Sequence, residues 1–193
     1  MRESPIRCLS LAAVLLATAC QTPWSEPELA ALTRVRREVT EFLMRIPPDL
    51  ACEGPLAWRR HLLAEPSFFM ATYGSLHLTS GEHAAAFVGE IAPQIASMTL
   101  EWREIRVEPL TDELAAVSAG YAEHARFVAG GEERFAGWFT GVAVRTAEGW
   151  RLQHAHWSDP IEKAGHTDSA RSRDASAIPV ARDAVQNAID TGQ

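Results

Sequence analysis

Four long segments of alternating residues fill the second half of the chain and constrain its fold more than any other feature. They are 98–110 (MTLEWREIRVEPL), 115–129 (AAVSAGYAEHARFVA), 134–147 (RFAGWFTGVAVRTA) and 150–158 (WRLQHAHWS). A period of two sends successive side chains to opposite faces of a sheet, so each segment reads as a strand. In the first, Leu100, Trp102, Glu104 and Arg106 share one face, and Glu101, Arg103, Ile105 and Val107 the other. Gly130-Gly131-Glu132 and Glu148-Gly149 supply hairpin turns between the later segments, so consecutive strands run antiparallel.

The first half has a different period. Leu29, Leu32, Val35, Val39, Phe42, Leu43 and Ile46 recur at three- and four-residue spacing, with Arg34, Arg36, Arg37, Glu38 and Glu41 between them. That is an amphipathic helix, expected to stop at Pro47-Pro48. A shorter helix is expected over 54–64, with Leu56, Leu62 and Leu63 inward, ended by Pro66. FFMATYGSLHL (68–78) lacks a helical period and reads as a strand broken at Gly74. Ser80 then caps a third helix that Pro93 closes. Helix, helix, strand, helix and four antiparallel strands make an α+β domain over 28–160, with three helices over one face of a bent antiparallel sheet.

The extreme N-terminus is an export signal. Arg2 and Arg7 precede an apolar, uncharged run that ends in the small residues Ala17-Thr18-Ala19, followed by Cys20. The run is too short to cross a bilayer, which needs about 20 apolar residues. The step before Cys20 resembles the lipobox of bacterial lipoproteins, with Ala17 where Leu is usual. The resemblance implies a signal peptide over 1–19, a lipid on Cys20, a tether over 20–27 and a domain facing the periplasm. With Gln21 rather than Asp after the cysteine, a Gram-negative host would sort it to the outer membrane. The formal charge of −7 and the lack of a basic cluster argue against nucleic acid as a partner and leave membrane attachment to the lipid. With Cys8 in the leader and Cys20 acylated, Cys52 has no internal disulfide partner and reads as a small buried residue. Residues 161–193 are polar and small, a disordered or partly helical tail.

The ending Gly149-Trp150, His154-Ala155-His156 and Ser158 resembles the nuclear transport factor 2-like superfamily. The resemblance is closest to its SnoaL-like branch and to the association domain of calcium/calmodulin-dependent protein kinase. Trp138-Phe139-Thr140, Phe68, Tyr73 and Gly74 carry it further. It implies a cone-shaped α+β fold with a deep pocket, paired as a homodimer through the sheet. The superfamily holds isomerases, cyclases and dehydratases beside members with no activity, so fold alone does not assign a reaction. No carboxylate among Glu82, Glu90, Glu101, Glu104 and Glu108 sits in a recognisable catalytic pattern.

Two histidines two apart on a strand share a face, and strict alternation puts His154 and His156 with Trp150 and Leu152. Such a pair suits a sheet or dimer interface first, and proton transfer near neutral pH as the alternative. A metal would need further ligands that the spacing does not offer, so neither metal nor cofactor is expected. His124 shares a face with Ser118, Gly120, Ala122 and Arg126, where small neighbours leave room for it in a cavity or for a structural role. Trp157 takes the opposite face, with Phe139 and Gly141 of matching parity on the neighbouring strand. By resemblance to the kinase association domain, Trp157 replaces a pocket arginine, which favours an apolar or aromatic ligand. Trp58, Tyr73 and Trp102 add aromatic surface.

The sequence thus leads to a lipid-anchored, homodimeric binder of a small, largely apolar molecule, non-catalytic or weakly catalytic. One alternative is a cyclase, isomerase or dehydratase with His124 or His156 as general base. The other is an envelope scaffold whose pocket is plugged by Trp58, Trp102 and Trp157 and which exposes an apolar patch.

Overall fold

The computed structural model describes residues 25–72 and 74–158. The leader, Cys20, most of the tether, Tyr73 and the tail over 161–193 lie outside the described residues. Helix α1 (Glu26–Glu53) starts where the Ser25 backbone N–H donates to Glu28 Oε2 at 2.7 Å. Val35, Val39, Phe42, Leu43, Ile46 and Leu50 form its buried stripe. The helix does not stop at Pro47-Pro48, as the sequence suggested, but continues through both prolines. Pro47 removes the N–H that would bond the Leu43 carbonyl. The Trp102 indole N–H donates to that carbonyl instead, at 3.0 Å, so the break in the helical ladder is filled from the sheet.

The expected second helix is a 3₁₀ segment, Gly54–Arg60, so the described residues hold two α-helices rather than three. Its three-residue turn buries Pro55, Ala57 and Trp58 and turns Leu56 outward, against the sequence expectation. Cys52, expected inside, is exposed near the end of α1, off the buried stripe. Strands β1 (Phe69–Thr72) and β2 (Ser75–Leu78) form a hairpin with Gly74 at φ 76°. Helix α2 (Gly81–Ile91) is capped by Ser80 Oγ, which accepts from the His83 backbone N–H at 3.1 Å. Strands β3 (Ile95–Pro109), β4 (Leu114–Phe127), β5 (Glu132–Thr146) and β6 (Gly149–Ser158) follow.

The six strands are ordered β2-β1-β6-β5-β4-β3. Every pairing is antiparallel except β1 with β6, so the sheet is mixed rather than wholly antiparallel. The parallel pair joins elements distant in sequence, which no local pattern reports. Next to it, the Leu63 N–H donates to the Leu152 carbonyl and the Leu152 N–H to the His61 carbonyl, both at 2.8 Å. These bonds tie the chain after the 3₁₀ segment to β6.

Two of the four register irregularities among the described strands reset the alternation beside the aromatic residues. In β3 the register shifts between Arg103 and Arg106, where Glu104 has φ 50°. After this bulge Val107 joins Leu100 and Trp102 on the helix-covered face, while Arg106 goes outward. In β6, Val142 pairs with His154 and Ala143 with Leu152, leaving Gln153 as an extra residue. Trp150 and Leu152 therefore point inward while His154 and His156 point outward, which separates two pairs that strict alternation had put together.

Candidate ligand-binding site

On the inner face Trp157 is the hub of an aromatic cluster. Phe139 lies directly opposite it on β5, with ring centroids 4.8 Å apart. Tyr121 meets it edge-on at 4.7 Å, Trp102 stacks at 5.7 Å and 17°, and Trp58 meets it edge-on at 5.9 Å. Trp102 also packs on Phe139 at 5.2 Å. Edge-on and offset pairs within this range are favourable beyond the area they bury. Five elements hold the cluster: the 3₁₀ segment, β3, β4, β5 and β6. Phe139 and Tyr121 are buried, whereas Trp102 and Trp157 are only partly so.

Glycine makes the room. A Cβ on Gly141 would fall 2.6 Å from the His154 carbonyl oxygen and 2.9 Å from Phe139 Cζ, so a side chain there would displace the ring. Gly137 lies opposite Tyr121. The Leu43 carbonyl fixes the Trp102 indole, so α1 and β3 together set its plane.

Behind Trp58 lies a second group that sequence reasoning missed. His61 is 5% exposed, its ring edge-on to Trp58 at 6.5 Å and tilted on Phe42 at 5.8 Å. Its Nε2 lies 2.8 Å from Asp49 Oδ2. Asp49 also pairs with Arg60 at 3.1 Å. Burial pushes the His61 imidazole below its ordinary value, opposed by the Asp49 hydrogen bond. Arg60 first, then His61, hold the Asp49 carboxyl below the usual range against desolvation. Among the described residues no buried side-chain polar atom lacks a partner. Tyr121 was also missed, although its parity in 115–129 opposite Trp102 was readable once the register was known.

Of the candidates named from the sequence, Trp58, Trp102, Phe139 and Trp157 come together, and Tyr73 lies outside the described residues. His124 and His156 do not join them. His124 is on the outer face, its Nε2 2.9 Å from Glu132 Oε2, at the edge of a groove of about 580 Å³ that Thr99, Glu101, Arg103 and Arg134 also line. His156 Nδ1 is 3.4 Å from Thr140 Oγ1. His154 stacks on Phe69 at 4.3 Å and 23°, and burial, then the neighbouring His156, pushes it below the ordinary imidazole value. Among the described residues no three His, Cys, Asp or Glu side chains converge as a metal would require.

Known proteins share this architecture. An NTF2-like superfamily protein from Salmonella enterica aligns with a TM-score of 0.58 at 17% identity, over 70% of this chain and 97% of its own. A Novosphingobium aromaticivorans protein ascribed to the scytalone dehydratases aligns at 0.56 and 9% identity, covering 65% and 83%. A Xanthomonas campestris protein ascribed to the calcium/calmodulin-dependent protein kinase II association domains aligns at 0.53 and 17%, covering 65% and 88%. At these identities the likeness concerns the fold. No curated protein matches the chain. The SnoaL-like domain family matches residues 53–162, more than half of the 193 residues. The chain has an NTF2-like fold and belongs to the SnoaL-like domain family.

Proposed function

We propose that this protein is a non-catalytic binding module that takes a small, planar, largely apolar molecule against the partly exposed indoles of Trp157 and Trp102. It works as a homodimer through the outer face of its sheet, held by a lipid on Cys20 and facing the periplasm. The observation that carries the reading is the five-ring cluster around Trp157, on the face that the helices cover. Apolar sites with few polar groups suit ligands of this class. The two histidines proposed as bases stand on the opposite face, so an enzyme built on either loses its support.

The test is a fluorescence titration of the protein, with Cys20→Ser to keep it soluble, using 2-naphthol as probe. Saturable quenching is expected, with Trp157→Ala weakening binding at least tenfold and Trp138→Ala leaving it unchanged. Absence of saturable binding would overturn the reading. A second reading, a scaffold, is favoured by the direct ring contacts of Trp157 with Trp58 and Trp102, together with Phe69, Leu76 and Trp138 exposed elsewhere. It expects no uptake in the same titration.

A further inference from the structure

Helix α1 runs antiparallel to strand β3, and two hydrogen bonds fix their alignment. The Trp102 indole donates to the Leu43 carbonyl at 3.0 Å, and Arg36 Nε donates to the Val107 carbonyl at 3.1 Å. Leu29 lies two helical turns before Arg36 on the same side of α1, about 10 Å further along the axis. Leu110 lies beyond Val107, about 10 Å further along the strand. The two leucines therefore stand at one level, at the end of the domain where α1 begins, and are 49% and 50% exposed. Hydrogen bonds hold the turn that presents Leu110. Its N–H and that of Thr111 donate to the Leu114 carbonyl at 2.8 and 3.0 Å, and the Arg145 N–H donates to the Glu113 carbonyl at 2.8 Å. Half-buried Leu32, one turn on from Leu29, and half-buried Leu114 extend the apolar surface. The charges at this end are mostly acidic. Glu26, Glu28, Asp112 and Glu113 are exposed. Glu28 accepts from the Ser25 N–H, and Arg36 pairs with Glu108 at 3.6 Å. Arg34 and Arg145 both pair with Glu38.

Resting on the lipid-anchor reading above, we propose that Leu29 and Leu110 seat the domain on the bilayer that holds the anchor, at a zwitterionic rather than an anionic lipid surface. The chain from Cys20 to Ser25 reaches at most about 18 Å, so a lipid on Cys20 keeps the start of α1 close to the headgroups. Val128, bonded through its N–H to the Gln94 carbonyl, marks the opposite end of β3 and β4, roughly 40 Å away along the strands. Single exposed leucines are ordinary on protein surfaces. What marks these two is that both stand at the tethered end, on a helix and a turn that hydrogen bonds align. Apolar side chains so placed enter the interfacial region of a bilayer. The carboxylates around them are repelled by anionic headgroups, which selects a neutral surface. The seat fixes which way a tethered domain faces.

The test uses the full chain purified from bacterial membranes, with Cys52→Ser and one added cysteine carrying a bimane fluorophore. Once acylated, Cys20 has no thiol left to take the label. The protein is placed on phosphatidylcholine vesicles whose upper acyl chains bear a nitroxide quencher. Labels at Ala30→Cys and Thr111→Cys, which flank the two leucines, should be quenched at least twice as strongly as one at Val128→Cys. Leu29→Ser/Leu110→Ser should lower the quenching at Ala30→Cys at least twofold, with circular dichroism confirming that the fold is retained. Replacing a third of the lipid by phosphatidylglycerol should weaken quenching at both flanking labels, and added salt should restore it. Equal quenching at Ala30→Cys with and without the leucines would leave the tether as its cause and overturn the seat. Unchanged or stronger quenching on the anionic vesicles would overturn the choice of neutral lipid. A chain that does not float with the vesicles would overturn the anchor itself, and the seat with it.

Discussion

At the residue scale, single positions decide what the aromatic cluster can be. Gly141 is one, because any Cβ there meets both the His154 carbonyl and the Phe139 ring. Gly141→Ala should destabilise the fold by about 1–3 kcal/mol, as overpacking does, and thermal unfolding should show a lowered midpoint. His61 is another. Its folded-state value lies below the unfolded imidazole value of about 6.5, chiefly through burial. The unfolded chain therefore binds the proton more readily, and stability present above that value is lost as the pH falls through it. Asp49, held low by Arg60, adds a further loss at more acidic pH, as the carboxylate protonates. Denaturant titrations should show lower stability at pH 5.5 than at 7.5. His61→Gln should show a smaller difference between the two, though not zero, since burial also lowers His77 and His154. An unchanged pH dependence in the variant would remove His61 from this role.

At the element scale, α1 and β3 depend on one another through a missing hydrogen. Pro47 leaves the Leu43 carbonyl without its helical donor, and Trp102 supplies one. Trp102→Phe should orphan that carbonyl at a cost of about 1–3 kcal/mol. Pro47→Ala in the same chain restores the helical N–H, so the double variant should recover part of the loss. Additive single effects in a double-mutant cycle would contradict the compensation.

The same elements show what the sequence could reveal. The four alternating segments were legible as strands because period two is a local property. The bulges at Glu104 and Gln153 were not, because one extra residue in a strand is set by partner strands and leaves no periodic mark. That one residue moved His154 and His156 away from Trp150. Likewise the double proline reads locally as a stop, and only the distant indole makes the continuation tolerable. Phe139 and Trp157 share one face as their matching parity suggested, since no irregularity separates them in the β5–β6 register.

At the scale of the whole molecule, the proposal joins an envelope address to an aromatic interior. Metabolic labelling with palmitate should mark the parent chain in bacterial cells and leave Cys20→Ala unmarked; equal labelling of both would remove the anchor from the account. On this proposal the helices and the outer sheet face would divide the labour, ligand on one side and partner on the other. The most direct test of the central claim is a pair of native and denaturing mass spectra recorded on one sample of the chain after the leader, with Cys20→Ser. The account predicts a dimer carrying a small-molecule mass that disappears on denaturation, and its loss in Trp157→Ala. An empty species that also takes up no 2-naphthol would contradict the binding reading and leave the scaffold.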